Sequence, residues 1–382
     1  MIETTAYLSP NGQNMTRGDG PPMRIVVGTL DGVATLGRQR PDQPWTLAER
    51  SLAGRHVGAL VFEAGSGRLF AGAHGDGGLW VSDDGRGGDW RPLTDGLDRP
   101  HIYSLSVRRV GERVTLFLGT SPAGLYRSDD LGGTWHELAA IHDVPGSDKW
   151  TFPPPPHIPH VKDIVFHPRD AGTLYVLVEQ GGLLKSIDDG ESFIELAAYS
   201  TPDDIAYRDV HRLLIDEADT DLFHLAAGEG LYRSADGGET WEHLTRRDGE
   251  MGYPDFLFRH PDDRSVLYMA GSHRNPMVWF EEGMAHSLVM RSTDGGARWA
   301  QLKRGLPDPV IGAFEAMSMH HWSGGMMLLI GTATGEVYSS DDSGETWTCI
   351  TEDLTPIAKD THYVPFLSAE ERARLQKVHD PG

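Results

Sequence analysis

The sequence predicts an all-β protein built as a single seven-bladed β-propeller with a short C-terminal helix, and three observations lead to this fold class. A turn pattern, Ser-x-Asp-x-Gly-x-Thr-Trp, occurs six times, spaced by 46 residues (Asp84 to Asp130) to 58 residues (Asp130 to Asp188). Short β-prone runs flank each copy. A seventh, degenerate copy of the same strand rhythm precedes the six. A period of this length is typical of stacked units such as propeller blades.

Each copy of the pattern is expected to form the turn of a β-hairpin. The Asp accepts hydrogen bonds from backbone N–H groups a few residues on. Glycine supplies the positive φ of the reversal, and the aromatic residue packs beneath the turn. We therefore assign a structural role, and no catalytic one, to the six aspartates of the pattern: Asp84, Asp130, Asp188, Asp236, Asp294 and Asp342.

The pattern resembles the Asp-box, or BNR, repeat, most clearly from Ser234 to Trp241, and the resemblance runs from about residue 23 to residue 351. Such repeats occur in sialidases, sortilin-type receptors, xyloglucan-degrading enzymes and photosystem assembly factors, all of which are β-propellers. The resemblance implies blade architecture within this sialidase, sortilin and xyloglucanase-like superfamily. It identifies no specific member and no function, because one fold carries many functional sites.

The turns also divide the chain into blades. A degenerate first blade begins at Arg24 and lacks an inner strand. Alignment on the turns places the six following blades at 54–97, 98–141, 160–198, 209–246, 253–304 and 313–351. Propellers usually close by borrowing a strand from the other terminus. Residues 362–366 are favoured over 4–8 because they follow the last blade directly, although Pro365 weakens them. Residues 1–22 are then an N-terminal extension, 23–367 the propeller, and 368–382 a helix and tail that open with a capping box.

Two long loops interrupt the blade rhythm. Residues 141–160 contain Trp150 and a stiff Pro153–Pro156 run, and residues 271–288 contain Trp279 and Phe280. Large aromatic residues are poor choices for an exposed spacer. We therefore expect these loops to be lids or interfaces.

Composition limits the partners. The formal net charge is −22, with 34 Lys and Arg against 56 Asp and Glu, which disfavours nucleic acid and anionic membranes. The single cysteine, Cys349, allows no intramolecular disulfide and fits a reducing compartment. The N-terminal residues lack the apolar stretch of a secretory signal. No run approaches the ~20 apolar residues of a membrane helix. Cytoplasmic localisation is the expectation.

Aligning the first strand of each blade brings polar residues to one level. His56, His101, His160, Asp209, Tyr253 and Ala313 share one position, and Gly58, Tyr103, Lys162, His211, Asp255 and Glu315 lie two residues later on the same strand face. Converging imidazoles beside carboxylates suit a divalent transition metal. We expect His56, His101, His160 and His211 as its ligands. A solvated polar pore and metal-free acid–base catalysis remain as alternatives.

Further site residues are expected around this level, at the same end of the propeller. Glu179 and Glu315 are weak candidates for a general base, and either is equally suited to be a ligand or an ion-pair partner. The candidate substrate contacts are His74, Tyr103, Asp209, Glu229, His273 and Arg274.

Two functions from different classes follow. The first is a metal-dependent hydrolase, lyase or oxygenase acting on a small organic or sugar-like molecule in the axial pocket. The alternative is a non-catalytic scaffold that binds a protein or a glycan. A sialidase is disfavoured, because Phe258-Arg-His-Pro261 only superficially resembles the Arg-Ile-Pro signature of those enzymes. The resemblance also implies two paired propellers in xyloglucanases of this type, and this chain has one.

Overall fold

The computed structural model describes residues 4–99, 101–153, 157–196, 208–245 and 249–379, with side chains up to Leu375. Its strands form seven separate sheets, six of four strands and one of five. Each sheet is one blade, so the predicted all-β, seven-bladed propeller with a short C-terminal helix is confirmed. Pro154, Pro155 and Pro156 of the proline run lie outside the described residues.

Each blade runs from an innermost strand at the axis to an outermost strand at the rim. In that order, the strands of the first three blades are Thr5–Leu8, Arg24–Thr29, Gly32–Gly37 and Thr46–Ser51; Val57–Glu63, Arg68–Ala73, Gly78–Ser82 and Trp90–Leu93; and Ile102–Val110, Arg113–Thr120, Gly124–Ser128 and His136–Glu137. In the next three they are His160–Phe166, Leu174–Glu179, Gly182–Ser186 and Ile194–Glu195; Val210–Ile215, Phe223–Ala227, Gly230–Ser234 and Glu242–His243; and Tyr253–Arg259, Leu267–Ser272, Ser287–Ser292 and Ala300–Gln301. The seventh blade consists of Met15–Arg17, Phe314–Trp322, Gly325–Thr332, Val337–Ser340 and Thr348–Thr351.

The hydrophobic core lies between neighbouring blades. Phe256 and Phe258 of the sixth blade, for example, pack in one buried cluster with Phe314 and Met317 of the seventh. The inner strands are buried on both faces, because each blade is covered on either side by the next. This packing holds the axial ends of the inner strands in fixed positions.

The repeated turns have the hydrogen bonds expected of them. The serine Oγ donates to the aspartate Oδ1 at 2.7–2.9 Å in all six copies. In the third blade Ser128 also accepts the N–H of Gly132 at 2.9 Å, and Asp130 accepts the N–H of Thr134 at 2.9 Å. The aspartates therefore use their carboxylate oxygens in hydrogen bonds that close the turns.

The closing strand comes from the N-terminus. Thr5–Leu8 pairs in parallel with Arg24–Val27 and completes the first blade. The favoured alternative, residues 362–366, is wrong, since these residues lie in the 3₁₀-helix Thr361–Phe366. Pro365 offers no N–H to a ladder, which disfavours a strand there. Thr5–Leu8 and Met15–Arg17 are consequently strands of the propeller and not parts of an extension.

The same N-terminal segment then enters the centre of the ring. Asn11 N–H donates to Gly58 O and Gln13 N–H to Leu60 O, both at 2.9 Å, on the second blade. Asn14 O accepts Met319 N–H at 2.8 Å on the seventh. Because these partners lie on inner strands of different blades, the segment fills the middle of the axial channel.

Two helices and the long loops complete the structure. Helix α1 (Pro276–Glu282) lies in the long loop of the sixth blade, and helix α2 (Ala369–His379) ends the described chain. The capping box of α2 is present, with Ser368 N–H donating to Glu371 Oε2 at 2.9 Å. Trp150 and Trp279 are buried. Among the described residues, no helix has the length and apolar character needed to cross a membrane.

Candidate functional site

A β-bulge recurs at one place in six blades, on the innermost strand of the second to sixth blades and on Phe314–Trp322 of the seventh. In the fourth blade, for example, the pairing skips Lys162 between Val161 and Asp163. A bulge leaves its residue out of the ladder and redirects the side chain. The Nζ of Lys162 lies 3.3 Å from Oδ1 of Asp255, two blades away, so bulged side chains meet at the axis. The six bulged residues are Gly58, Tyr103, Lys162, His211, Asp255 and Glu315.

Glu179 ends the second strand of the fourth blade and faces this ring. Its Oε2 accepts a hydrogen bond from His160 Nε2 at 2.7 Å and lies 3.1 Å from Lys162 Nζ. Burial alone would raise the pKa of Glu179, but the Lys162 charge and the His160 hydrogen bond together hold that pKa well below its usual range. Glu179 is therefore an ionised carboxylate inside the protein.

His211 directs one ring nitrogen towards two carboxylates. Its Nδ1 donates to Pro254 O at 2.6 Å, because a carbonyl oxygen only accepts. Its Nε2 lies 3.3 Å from Asp209 Oδ1 and 4.0 Å from Glu179 Oε1. Burial, and then the Lys162 charge, lower the pKa of His211 below its ordinary value. The imidazole is thus neutral at neutral pH.

The C-terminal strap, residues 354–367, covers the ring. The Lys359 ammonium contacts the Asp255 carboxylate, and Lys359 N–H donates to Glu315 Oε2 at 2.9 Å. His362 Nδ1 lies 3.1 Å from Glu315 Oε1. Burial and the neighbouring Lys162 charge lower the pKa of Lys359 well below its usual value. Glu315 is therefore an anchor of the strap in this structure.

These residues form one buried polar group, which we call the axial cluster. Even its most exposed member, Asp209, is only 8% exposed. The axial cluster consists of Tyr103, His160, Lys162, Glu179, Asp209, His211, Asp255, Glu315, Lys359 and His362.

The four histidines predicted as metal ligands do not converge as one set. His56 Nε2 donates to Ala358 O of the strap at 2.7 Å, and His160 Nε2 donates to Glu179. The His101 ring packs 4.7 Å from the His74 ring. Within the described residues, the group whose metal-ligating atoms all lie within 4.8 Å of one another is Glu179, Asp209 and His211. Of the predicted ligands, only His211 belongs to it.

The predicted substrate contacts separate into two places. Tyr103 and Asp209 belong to the axial cluster, and the His74 ring stacks 5.1 Å from the Tyr103 ring. His273 and Arg274 instead line an open groove of about 670 Å³ between α1 and residues 301–310. Glu229 lies in a turn of the fifth blade, where its carbonyl oxygen accepts a hydrogen bond from His243 Nε2.

Four members of the axial cluster had no role predicted from the sequence. Lys162 and Asp255 occupy the aligned position of the other bulged residues, so the alignment itself was the signal for them. Lys359 and His362 had no signal, because they reach the axis only through the path of the strap.

Comparisons with known proteins support the fold. No family model matches the chain. It is 25% identical over 292 residues to the xyloglucanase Xgh74A of Acetivibrio thermocellus, covering 68% of this chain and 32% of that protein. It is also 25% identical over 226 residues to a xyloglucanase of a Paenibacillus species, covering 50% of this chain and 21% of that protein. The chain is a seven-bladed β-propeller with sequence similarity to these xyloglucanases. It spans about a third or less of the length of these curated relatives.

Solved structures agree with this assignment. A GH74 xyloglucanase from Xanthomonas campestris matches with a TM-score of 0.53 and 17% identity, covering 77% of this chain and 45% of that one. YCF48 bound to a D1 peptide matches with a TM-score of 0.51 and 14% identity, covering 78% of this chain and 84% of that one. At these identities the likeness concerns the fold alone.

Proposed function

We propose that this propeller is a hydrolase acting on a sugar-like substrate, with the axial cluster as its reaction centre. The observation that carries the proposal is the ionised, buried Glu179, held by Lys162 and His160 and facing Asp209 and His211. Strongly shifted pKa values inside a cluster of converging polar groups are typical of catalytic sites. The similarity to xyloglucanases supports a carbohydrate as the substrate class.

Hydrolysis requires a water molecule to be activated and directed at the glycosidic carbon. The water oxygen bonds to that carbon, the glycosidic C–O bond breaks, and a proton passes to the leaving oxygen. An ionised carboxylate activates water either by accepting its proton or through a cation that the carboxylate holds. Glu179 stays charged, which suits the second role, whereas its low pKa makes it only a weak base in the first.

Substrate entry requires the strap to move. The axial cluster is buried beneath residues 354–367 in this structure. The strap is held by hydrogen bonds from Ile357 N–H to Thr332 O at 3.0 Å and from Leu30 N–H to Pro356 O at 2.9 Å, besides its contacts with Asp255 and Glu315. Opening of the strap must break these contacts, and substrate binding has to offset that cost. The closed strap then excludes bulk water from the reaction.

The test is an activity screen with chromogenic aryl glycosides and xyloglucan oligosaccharides. We expect turnover by the natural chain and a loss of roughly 100-fold or more in kcat/KM for Glu179→Gln, as for removal of a general base. Glu112→Gln, an exposed Glu-to-Gln change in a turn of the third blade, should keep full activity. Equal activity of Glu179→Gln and the natural chain would contradict the proposal.

Burial of the axial cluster favours a second candidate, a scaffold that binds a glycan or a protein at its rim. The open groove beside α1, with exposed Met277 and Phe280 on that helix, is the surface such a scaffold would use. This candidate predicts no turnover of any glycoside, together with binding that survives Glu179→Gln and is lost when Met277 and Phe280 are changed to Ser. Glycan arrays and pull-downs with the three variants separate the two functions.

A further inference from the structure

We propose that Glu179, Asp209 and His211 bind one divalent transition-metal ion. The atoms that meet are Glu179 Oε1, Asp209 Oδ1 and His211 Nε2, with Nε2 at 4.0 Å and 3.3 Å from the two oxygens. Only the catalytic role of this ion, and not its binding, rests on the proposed function. The site differs from the four-histidine set that the sequence suggested.

The orientation of His211 is the first support. Its Nδ1 hydrogen is committed to Pro254 O at 2.6 Å. This hydrogen bond turns Nε2 towards the carboxylate oxygens of Asp209 and Glu179. Three metal-ligating atoms thus face one another in a buried place. A ligating histidine typically donates its other ring N–H to a backbone carbonyl in this way.

The carboxylates are the second support. Glu179 uses Oε2 for His160 and Lys162, which leaves Oε1 directed towards His211. Asp209 lies close to Gly228, where any Cβ would collide with the Asp209 carboxylate. Glycine at that position therefore makes room for Asp209 beside His211.

The charge of the axial cluster is the third support. It contains four carboxylates, those of Glu179, Asp209, Asp255 and Glu315, against at most two ammonium groups, those of Lys162 and Lys359. Buried charges are normally paired or bound to metal. Histidines aside, the carboxylates outnumber the ammonium groups by at least two, and a divalent cation would balance this excess.

The donor set determines the kind of metal. One imidazole nitrogen and two carboxylate oxygens suit Zn²⁺, Mn²⁺ or Fe²⁺ and leave positions open for water or substrate. Ligands about 2.1 Å from such an ion lie about 3.4 Å from one another in a tetrahedral site. The distance of 3.3 Å between His211 Nε2 and Asp209 Oδ1 already fits this value, and the 4.0 Å between Nε2 and Glu179 Oε1 must shorten by about half an ångström. All three atoms lie within 4.8 Å of one another, so the two carboxylates have to approach each other by at most about 1.4 Å.

The experiment uses the full chain, made without a histidine tag and stripped with a chelator. Co²⁺ is titrated while its visible absorption is followed, and Zn²⁺ is then added in competition. We expect one equivalent to bind. His211→Ala and Asp209→Asn should each weaken binding roughly 100-fold, and Gly228→Ala should weaken it by displacing Asp209 without removing a ligand. His101→Ala, which changes a histidine outside the three ligands, should bind as the natural chain does.

The outcomes separate the metal site from the proposed function. Circular dichroism and melting curves first establish that each variant is folded. No bound Co²⁺ in the natural chain, or unchanged binding in folded His211→Ala, overturns the metal site. Undiminished glycoside hydrolysis after chelation overturns the catalytic role of the metal while the hydrolase proposal stands. One bound equivalent without any turnover supports the site and counts against the hydrolase.

Discussion

At the scale of single residues, the same chemical groups have opposite roles at the two ends of the propeller. The aspartates of the repeated turns are exposed and make local hydrogen bonds, as Asp130 does with Ser128 and Thr134. The carboxylates at the axis are buried and paired with residues of other blades, as Asp255 is with Lys162. Hydrogen bonds within a turn stabilise that turn, whereas ion pairs between blades bring distant residues together in the axial cluster.

The serine of a repeated turn offers a direct test of that local role. Ser128 is fully buried, and its Oγ accepts the buried N–H of Gly132. Ser128→Ala leaves this donor without its partner. We expect the free energy of unfolding to fall by about 1–3 kcal/mol, the usual cost of a buried unsatisfied donor. Urea denaturation measures the change.

Thr134→Val is the matched control in the same turn. Its hydroxyl donates to Asp130 from an exposed position, where water replaces a lost bond. The loss should therefore be smaller than for Ser128→Ala. An equal or larger loss would show that the buried bond is not the important one.

At the scale of elements, much of the architecture was readable in the sequence and the ring closure was not. The six turns predicted the blades because their hydrogen bonds are local. Thr5–Leu8 and residues 362–366 are both short and largely apolar, and only the pairing with Arg24–Val27 distinguishes them. That pairing is parallel, so no tight hairpin turn marks it in the sequence.

The axial cluster, like the architecture, was predictable from the sequence only in part. Registering the blades brought His211, Asp255 and Lys162 to one level, and the recurrent bulges explain why these side chains meet. Which of these residues would serve as the proposed metal ligands could not be predicted, since His56 is hydrogen-bonded to the strap and His160 to Glu179. Such contacts depend on segments distant in sequence.

The N-terminal strand can be tested by deletion. Removing residues 1–17 exposes the edge of Arg24–Thr29 and takes away buried Tyr7 and Leu8. Burying each such side chain contributes about 1.5–3 kcal/mol, and an open edge promotes aggregation. We expect an insoluble protein, or one destabilised by several kcal/mol.

Removing residues 368–382, which contain α2, is the comparison for that deletion. The described part of this segment, residues 368–379, forms no strand, so its loss should leave a soluble, folded propeller. Addition of a peptide of residues 1–17 to the chain that lacks them should restore its stability in thermal melts. A stable, soluble chain lacking residues 1–17 would contradict the assigned closure.

At the scale of the whole molecule, both chain ends converge on the axis from opposite sides. Residues 9–14 cross the channel, and Arg212 Nη2 donates to Pro10 O at 2.7 Å. The strap covers the other side, where Lys359 contacts Asp255. The blades thus surround the axial cluster, and the N-terminal segment and the strap enclose it from either side. Of these two segments, only the strap can open without breaking the ring.

The acidic residues of the turns, taken together, should set the stability of the molecule in acid. Hydrogen bonds from Thr240 and Ser234 lower the pKa of Asp236 to about 2, and side-chain and backbone hydrogen bonds likewise lower the pKa values of Asp188 and Asp294. The unfolded value for aspartate is about 3.9. Since the folded pKa values are depressed, each contribution is present above the unfolded pKa and is lost as the pH falls through the folded one, which for Asp236 is about 2.

Comparison of Asp236→Asn with the natural chain isolates one of these contributions. Asparagine keeps an acceptor oxygen but carries no charge, so the variant should melt at a lower temperature than the natural chain at pH 6. As the pH falls from 4 to 2, Asp236 becomes protonated in the natural chain, and the difference between the two melting temperatures should shrink towards zero. Differential scanning calorimetry across this range measures it. A difference that stays constant down to pH 2 would mean that the charge of Asp236 contributes nothing to the turn.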